Sequence, residues 1–415
     1  MENYLSAVDI GRIRKRINLL SGIREYSVPL IIGVLAALIA ANLLPETYKY
    51  ITTEFLFAGK FSASWLVENV FMVLFFGTAG IEIVKSLSPG GALNPIKKAV
   101  TPLMATVGGV LGPIAVFFIL NSVFGNGEFS NGWGVCTATD IALAWLIAKV
   151  VFGAKHPAVS FLLLLAVADD GIGLGIIAVF YPTPGKPVRP VFLLLVLAGM
   201  AVAYLLNKKG VRSFWPYVIG GGILSWMGLF MTGVSPALAL IAIIPFMPRG
   251  KINPEERLQH FEDAPQNSTL AKFEKKVGPI VDYGLFFFGF CMAGLQMTSI
   301  SSLTLIVMFS LFIGKTVGIS SFACLFGKGL KFGLPKGMDV KDVIVAGMVG
   351  GIGLTVALFV SQSAFIDPAL QGAAKMGALL SILSGLIAIA VRRAMKAAAA
   401  GRAAAEEDEA EGEVA

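Results

Sequence analysis

Charged residues are scarce in this sequence. Only 14% of the 415 residues are Asp, Glu, Lys or Arg, whereas 56% are hydrophobic, and the mean hydropathy is +0.79. A soluble domain usually carries roughly 25% charged residues. The composition therefore excludes an ordinary soluble protein and indicates a polytopic membrane protein.

Cysteine is sparse as well. The three cysteines, Cys136, Cys291 and Cys324, are scattered through apolar surroundings, so they predict neither a disulfide framework nor a metal site. The formal net charge of +7 is spread between apolar segments, which favours a part in membrane orientation over nucleic-acid binding. The N-terminal stretch also lacks the apolar core of a cleavable signal peptide.

Long apolar runs are what the sequence has in abundance. They predict about twelve membrane-spanning helices, at roughly 27–44, 66–85, 101–123, 133–150, 157–180, 189–206, 214–231, 235–248, 277–297, 303–326, 341–363 and 372–392.

The segments outside these spans have compositions of their own. Residues 1–26 form an expected cytoplasmic N-terminal segment, and the Ala-rich, finally acidic residues 393–415 are expected to be a disordered cytoplasmic tail. The external stretch 48–64 alternates in places around a Gly59-Lys60 turn, so it could be a short β-hairpin.

The basic residues orient the spans. With both termini placed in the cytoplasm, most of the 33 Lys and Arg residues fall on the cytoplasmic side, and Lys315 falls inside a span. Those left on the external side are Lys49, Lys60, Lys186, Arg189 and Lys375. Such an excess of cytoplasmic Lys and Arg supports this topology and an even number of spans.

Two adjacent carboxylates, Asp169 and Asp170, lie inside the fifth span, in the sequence FLLLLAVADDGIGLG. A charge at the centre of a membrane helix costs about 2.5–3.5 kcal/mol on insertion scales. Because two such charges in a dry environment cannot both ionise cheaply, the pair is expected to hold protons or a small hard cation such as Na⁺ or Li⁺. The working hypothesis from the residues alone is a cation site in a transporter.

Other polar residues converge on the same depth when residues are counted inward at about 1.5 Å each. They are Lys315 in span ten, Thr139 and Asp140 in span four, and Gly351, Gly353 and Thr355 in span eleven. Asp140 is expected near broken-helix ends, where it either binds a cation or offsets the helix dipoles.

The arrangement of the interrupted spans suggests internal symmetry. Spans three to five and ten to twelve correspond in position and enter from opposite sides. This pattern predicts inverted-topology repeats, about 101–180 and 303–392, with two crossing broken helices.

Two other functions compete with transport. An intramembrane aspartyl protease would use Asp140 with Asp169 or Asp170 as its acid–base dyad. The second competing function is that of a subunit that takes part in an assembly and transports nothing. The order Asp-Asp-Gly-Ile-Gly differs from the GxGD pattern of such proteases, and three buried acids with a lysine at mid-depth are not needed by a subunit that only assembles.

Six collinear motifs carry a family resemblance. TATDIALAW (137–145) and AVADDGIGLGIIAVFY (166–181) resemble the ATDIAFA and IDDLGAIIVIALFY stretches of the NhaA family of sodium/proton antiporters. The others, in the family's order between residues of about 27 and 392, are VFMVLFFGTAGIEI (70–83), LFIGKTVGI (311–319), LPKGM (334–338) and GMVGGIGLTVALFV (347–360).

The resemblance implies a Na⁺(Li⁺)/H⁺ antiporter of the bacterial inner membrane, with both termini cytoplasmic and no cofactor. It implies that Asp170 is the main cation ligand, that Asp169 pairs with Lys315, and that Thr139 and Asp140 belong to a broken helix. Membrane lipids and a second copy, bound through the 48–64 hairpin, are the implied partners. The segments 27–85 and 235–297 would supply dimer and panel helices.

The resemblance also marks Glu82 and Glu274 as pH-response candidates. Here the sequence departs from the family: Val84 and Ser86 replace charges, and residues 233–237 contain no histidine. The expectation is therefore exchange with a shifted or flattened pH profile.

Overall fold

The fold is known from a computed structural model that describes residues 28–54, 61–88, 91, 93, 96–249, 268–296 and 300–414. The predicted N-terminal segment, 1–26, lies outside these residues. Within them the secondary structure is helical and no strand occurs, as an apolar polytopic sequence requires.

The principal helices are, in chain order, α1 (Val28–Leu43), α2 (Ala63–Leu87), α3 (Ile96–Phe124), α4 (Ile141–Phe152), α5 (Pro157–Phe180), α6 (Pro190–Lys208), α7 (Tyr217–Thr232), α8 (Thr269–Met292), α9 (Ser302–Gly329), α10 (Val340–Gly350), α11 (Thr355–Ala364), α12 (Pro368–Leu380) and α13 (Ile382–Val414). By length and composition, six helices of the described chain are able to cross a membrane, or eight if each of two bent pairs counts as one span. Helices α1 and α7 are shorter apolar helices.

Three expectations differ from this structure. The eighth predicted span, 235–248, contains only the short 3₁₀ turns Pro236–Leu238 and Ile244–Phe246, because its prolines remove backbone donors that a helix needs. The tail beyond residue 392 is helical up to Val414 rather than disordered, since alanine has the highest helix propensity.

The possible external hairpin is the third difference. Pro45–Lys49 is α-helical and Tyr50–Glu54 is a π-helical turn, so no strand begins in this part of the stretch. Residues 55–60, which include the Gly59-Lys60 turn, lie outside the described residues.

The described chain divides into two compact units. The first takes its residues from Met1–Ala92 and Leu174–Ser299, and the second from Leu93–Gly173 and Ile300–Ala415. In the first unit, α2, α7 and α8 pack around a core that includes Ile81, Tyr217, Leu240 and Phe273, all nearly inaccessible to solvent.

The second unit depends on the close approach of two helices. Gly108 and Gly112 of α3 lie directly against Gly314 and Gly318 of α9, and a Cβ at any of the four positions would collide with the facing backbone. Small residues at facing positions are how membrane helices pack tightly. This contact fixes the part of α9 that carries Lys315.

Helix α10 of the second unit begins with a capping box. Asp339 Oδ1 accepts a hydrogen bond from the N–H of Asp342 at 2.7 Å, and Asp342 Oδ2 accepts one from the N–H of Asp339 at 3.1 Å. The first of these bonds holds the pKa of the exposed Asp339 carboxyl below its usual value. The cap therefore fixes where the second bent pair starts.

Candidate ion site

Two bent helix pairs form the frame of the site. The 3₁₀ helix Ser130–Cys136 meets α4 at 50°, and α10 meets α11 at 51°. The first break falls at residues 137–140 and the second at residues 351–354. Both positions agree with the sequence prediction, because Thr and Asp favour non-helical backbone before a helix and glycine weakens the helix interior.

Asp140 is placed by the first break at the start of α4. Its Oδ1 accepts a hydrogen bond from the N–H of Leu143 at 3.0 Å, which makes it the N-cap of that helix. Its Oδ2 accepts from the N–H of Thr355 at 3.2 Å, at the start of α11. One carboxylate therefore faces the positive ends of two half-helices.

The two breaks are joined by further hydrogen bonds. The N–H of Asp140 donates to the carbonyl of Ile352 at 2.7 Å, and the hydroxyl of Thr139 donates to the carbonyl of Gly350 at 3.0 Å. A Cβ on Gly353 would lie 2.6 Å from the carbonyl oxygen of Ala138, so only glycine permits this approach. The breaks thus satisfy each other's backbone groups, as a membrane interior requires.

Lys315 is fully buried and uses three hydrogen bonds. Its Nζ donates to Asp169 Oδ2 at 2.5 Å, to the Thr137 carbonyl at 2.6 Å and to Thr139 Oγ1 at 2.7 Å. An ammonium group has three donors, so all are accounted for. The lysine directly follows the π-helical turn Ser310–Gly314, a type of distortion that is frequent at functional sites.

The two adjacent aspartates of α5 differ in their exposure. Asp169 is 0% exposed, and its second oxygen, Oδ1, is buried with no hydrogen bond from the described part of the chain. Asp170 is 9% exposed. The charge of Asp169 is compensated by Lys315, and Asp170 is the more accessible carboxylate of the pair.

The structure thus brings most of the predicted site together. Asp140, Thr139, Asp169 and Lys315 belong to one hydrogen-bonded network in the second unit, with Thr355 joined to it through its N–H. Among residues with described positions, no group of three or more His, Cys, Asp or Glu side chains could hold a metal ion. A cation bound at Asp169 and Asp170 would therefore need hydroxyl or main-chain oxygens as well.

Two contributions were not predicted from the sequence. The carbonyl of Thr137 and the hydroxyl of Ser381, which accepts from the N–H of Gly353 at 3.1 Å, both complete the network. Thr137 belongs to the TATD motif, and this motif indicated that the backbone of residues 137–140 is not helical. Nothing in the sequence around Ser381 pointed to a polar partner.

The pH-response candidates lie in the first unit. Lys85 of α2 forms an ion pair with Glu274 of α8, and Glu82, three residues before Lys85, interacts electrostatically with both. The structure therefore brings Glu82 and Glu274 into one charged cluster, which we call the α2–α8 charge cluster (Glu82, Lys85 and Glu274).

Apolar helices of membrane-spanning length and a buried, internally compensated charge network define an integral membrane protein of the ion-transporter class. The chain belongs to the family described as Na⁺/H⁺ antiporter 1, which it matches over residues 20–391. It is 54% identical over 386 residues to the Na⁺/H⁺ antiporter NhaA of Desulfitobacterium hafniense strain DSM 10664 / DCB-2, covering 92% of this chain and 96% of that protein.

Other relatives agree. The NhaA antiporter of Geobacter sulfurreducens is 53% identical over 385 residues, covering 92% of this chain and 98% of that protein. Among solved structures, the sodium proton antiporter MjNhaP1 from Methanocaldococcus jannaschii at pH 8 aligns with a TM-score of 0.50 and 16% identity, over 90% of this chain and 99% of that one. This last similarity concerns the fold alone.

Proposed function

We propose that the chain is a secondary transporter that exchanges cytoplasmic Na⁺ or Li⁺ for external protons. The observation that carries the proposal is the buried Asp169–Lys315 pair, with Asp170 beside it in the same helix. Membership of the Na⁺/H⁺ antiporter family and the names of its relatives support the same activity.

Competition for oxygen atoms is the proposed mechanism. Asp170 is the main cation ligand because it is the more exposed of the two carboxylates, and Asp169 pairs with Lys315 while the site is protonated or empty. Arrival of Na⁺ displaces the proton from the same oxygens, and a proton from the other side later displaces Na⁺. A site that opens to one side at a time then exchanges the two ions.

The protease alternative receives no support. An aspartyl dyad needs two carboxylates that share a proton. Asp140 instead accepts from two helix N-termini, and Asp169 is paired with Lys315. The relatives are named as antiporters, which are transporters and not enzymes.

Asp170→Asn in proteoliposomes tests the proposal. Addition of Na⁺ or Li⁺ to one side is expected to change the internal pH in vesicles that contain the wild type, and Asp170→Asn is expected to reduce this change to the protein-free background. The reason is that an amide cannot exchange a proton for a cation.

Asp367→Asn is the matched control. Asp367 is the exposed N-cap of α12, a position where asparagine also caps well, so normal exchange is expected. Full activity in Asp170→Asn would remove Asp170 from the central position, and no cation-dependent change in the wild type would refute antiport itself.

We also infer the arrangement in the membrane from charge and helix order. Both termini are cytoplasmic in a bacterial inner membrane, and inverted repeats at about 101–180 and 303–392 supply the two bent pairs. The Lys and Arg asymmetry supports this orientation. Labelling with an impermeant maleimide tests it in intact cells, where Lys186→Cys should react and Lys208→Cys should not.

A homodimer through residues 48–64 is the last part of the proposal. Its support is the family resemblance, with 27–85 and 235–297 as the neighbouring helices. Light scattering of the purified protein in detergent tests it, with a monomeric mass as the contrary result.

A further inference from the structure

Two buried serines near the junction of α12 and α13 contact the second break from the side of the last apolar helices. Ser381 Oγ accepts from the N–H of Gly353 at 3.1 Å and donates to the carbonyl of Ala378 at 2.6 Å. Ser384 Oγ donates to the carbonyl of Met348 at 2.8 Å. The exposed fractions of Ser381 and Ser384 are 1% and 2%.

These bonds differ from those of other buried serines in the second unit. Ser361 Oγ donates to the carbonyl of Ala357 at 2.7 Å, and Ser310 Oγ donates to that of Ile306 at 2.6 Å, each four residues earlier in the same segment. Such a bond only adds a second donor to a carbonyl of the same segment. Ser384 instead reaches a different helix, and Ser381 meets an N–H that the break has released.

The two sides of the break have complementary partners. On one side, the carbonyls of Gly350 and Ile352 accept from Thr139 and Asp140. On the other side, the N–H of Gly353 donates to Ser381 Oγ, and the carbonyl of Met348 accepts from Ser384 Oγ. A Cβ on Gly351 would lie 3.0 Å from both Ser384 Oγ and the Leu311 carbonyl. The backbone of the break therefore packs closely against Ser384.

The serines connect to the ion site through a short series of bonds. The Gly350 carbonyl accepts from Thr139, whose oxygen accepts from Lys315, which pairs with Asp169. A shift of the break would therefore move the hydroxyl that helps to hold the lysine.

We propose that Ser381 and Ser384 are positioning residues that hold the second break in the register at which Thr139 and Asp140 meet the Lys315–Asp169 pair. This inference rests on the proposed function for its transport readout, and it adds residues outside both broken helices to the machinery of exchange. The hydrogen bonds of both serines go to main-chain atoms. They act through the backbone of residues 348–353.

Transport kinetics give the first test. Because a single hydrogen bond contributes about 0.5–1.5 kcal/mol net, Ser381→Ala and Ser384→Ala are each expected to raise the apparent KM for Na⁺ about threefold to tenfold, with a smaller effect on the maximal rate. Ser381→Thr and Ser384→Thr, which keep the hydroxyl, should restore most of the affinity. Ser361→Ala, which removes an equally buried hydroxyl, should leave the KM unchanged.

Amide hydrogen exchange gives a test that does not depend on transport. Ser381→Ala removes the partner of the Gly353 N–H, so the peptide that contains residues 350–355 should exchange faster than in the wild type or in Ser361→Ala. Equal exchange rates in all three proteins would overturn the inference.

The two tests separate this inference from the proposed function. A wild type that transports Na⁺, together with alanine variants whose KM is normal or changes no more than that of Ser361→Ala, overturns the positioning role. A wild type that transports no Na⁺ refutes antiport. Faster amide hydrogen exchange in Ser381→Ala would in that case still support the proposal that this serine holds the second break.

Discussion

At the scale of single residues, Lys315 and Asp169 form a fully buried ion pair with an N–O distance of 2.5 Å. Both side chains are 0% exposed, so neither charge is solvated by water. Removing one partner from a buried pair typically costs about 3–5 kcal/mol, because the other charge is left uncompensated, whereas removing both can be nearly neutral.

We therefore expect Lys315→Met and Asp169→Asn each to destabilise the protein by about 3–5 kcal/mol, and the double variant by clearly less than the sum. Thermal unfolding in detergent measures all three. Lys275→Met is the control, because Lys275 is exposed on α8 and should change stability little. Additive effects of the two single changes would contradict an energetic coupling between the side chains.

The sequence was informative about these residues for a physical reason. A charge inside an apolar run is costly, so its position alone indicated Asp169, Asp170, Asp140 and Lys315. The Thr137 carbonyl and the Ser381 hydroxyl carry no such cost and were not predicted. Their part depends on where the backbone points after the helix breaks, which composition does not encode.

At the scale of elements, one carboxylate joins the N-terminal ends of two half-helices. Asp140 accepts from Leu143 and Thr355, so it caps α4 and neutralises part of the positive end of α11. Both helices begin inside an apolar unit, where their first N–H groups have no water to replace this partner.

Substitutions of Asp140 distinguish its capping of the helix ends from the effect of its negative charge. Asp140→Ala should destabilise the protein by about 2–4 kcal/mol, because it removes an N-cap and leaves a second donor unsatisfied. Asp140→Asn keeps one acceptor and should lie between alanine and the wild type. Thermal unfolding measures the order, and equal stability of all three proteins would show that Asp140 holds neither helix end.

Exchange by Asp140→Asn decides the question that the sequence left open. Normal Na⁺/H⁺ exchange in a stable Asp140→Asn protein would identify Asp140 as a support for the helix ends alone. Lost exchange in a protein that stays folded would identify its charge as part of the ion site.

The helices were predicted from hydropathy, and the prediction was wrong where proline or helix propensity, rather than hydropathy, determines the local structure. Breaks at glycine and at Thr139-Asp140 were found because these residues interrupt an apolar run. Residues 235–248 were predicted to span although Pro236 and Pro245 permit only short turns there. The tail was predicted to be disordered from its acidic end, but its alanines favour a helix up to Val414.

At the scale of the whole molecule, the two charge networks belong to different compact units. The α2–α8 charge cluster belongs to the first unit, and the network of Asp140, Asp169 and Lys315 belongs to the second. The resemblance to the NhaA family implies charged residues at the positions of Val84 and Ser86, so this cluster is expected to contain fewer charges than in the family. Nearby charges shift the pH at which an acidic or basic group titrates, so the loss of charged neighbours is expected to shift or flatten the pH response.

We therefore expect exchange by the wild type to vary shallowly between roughly pH 6.5 and 9, the range in which perturbed histidines and amino groups titrate. The double variant Val84→Lys with Ser86→Glu restores the missing charges and should steepen the profile, whereas Val84→Ile with Ser86→Ala adds none and should not. Exchange by everted vesicles across this range is the measurement. A steep rise in the wild type, or an unchanged slope after the charges are restored, would contradict control of pH response by the number of charges beside Glu82 and Glu274.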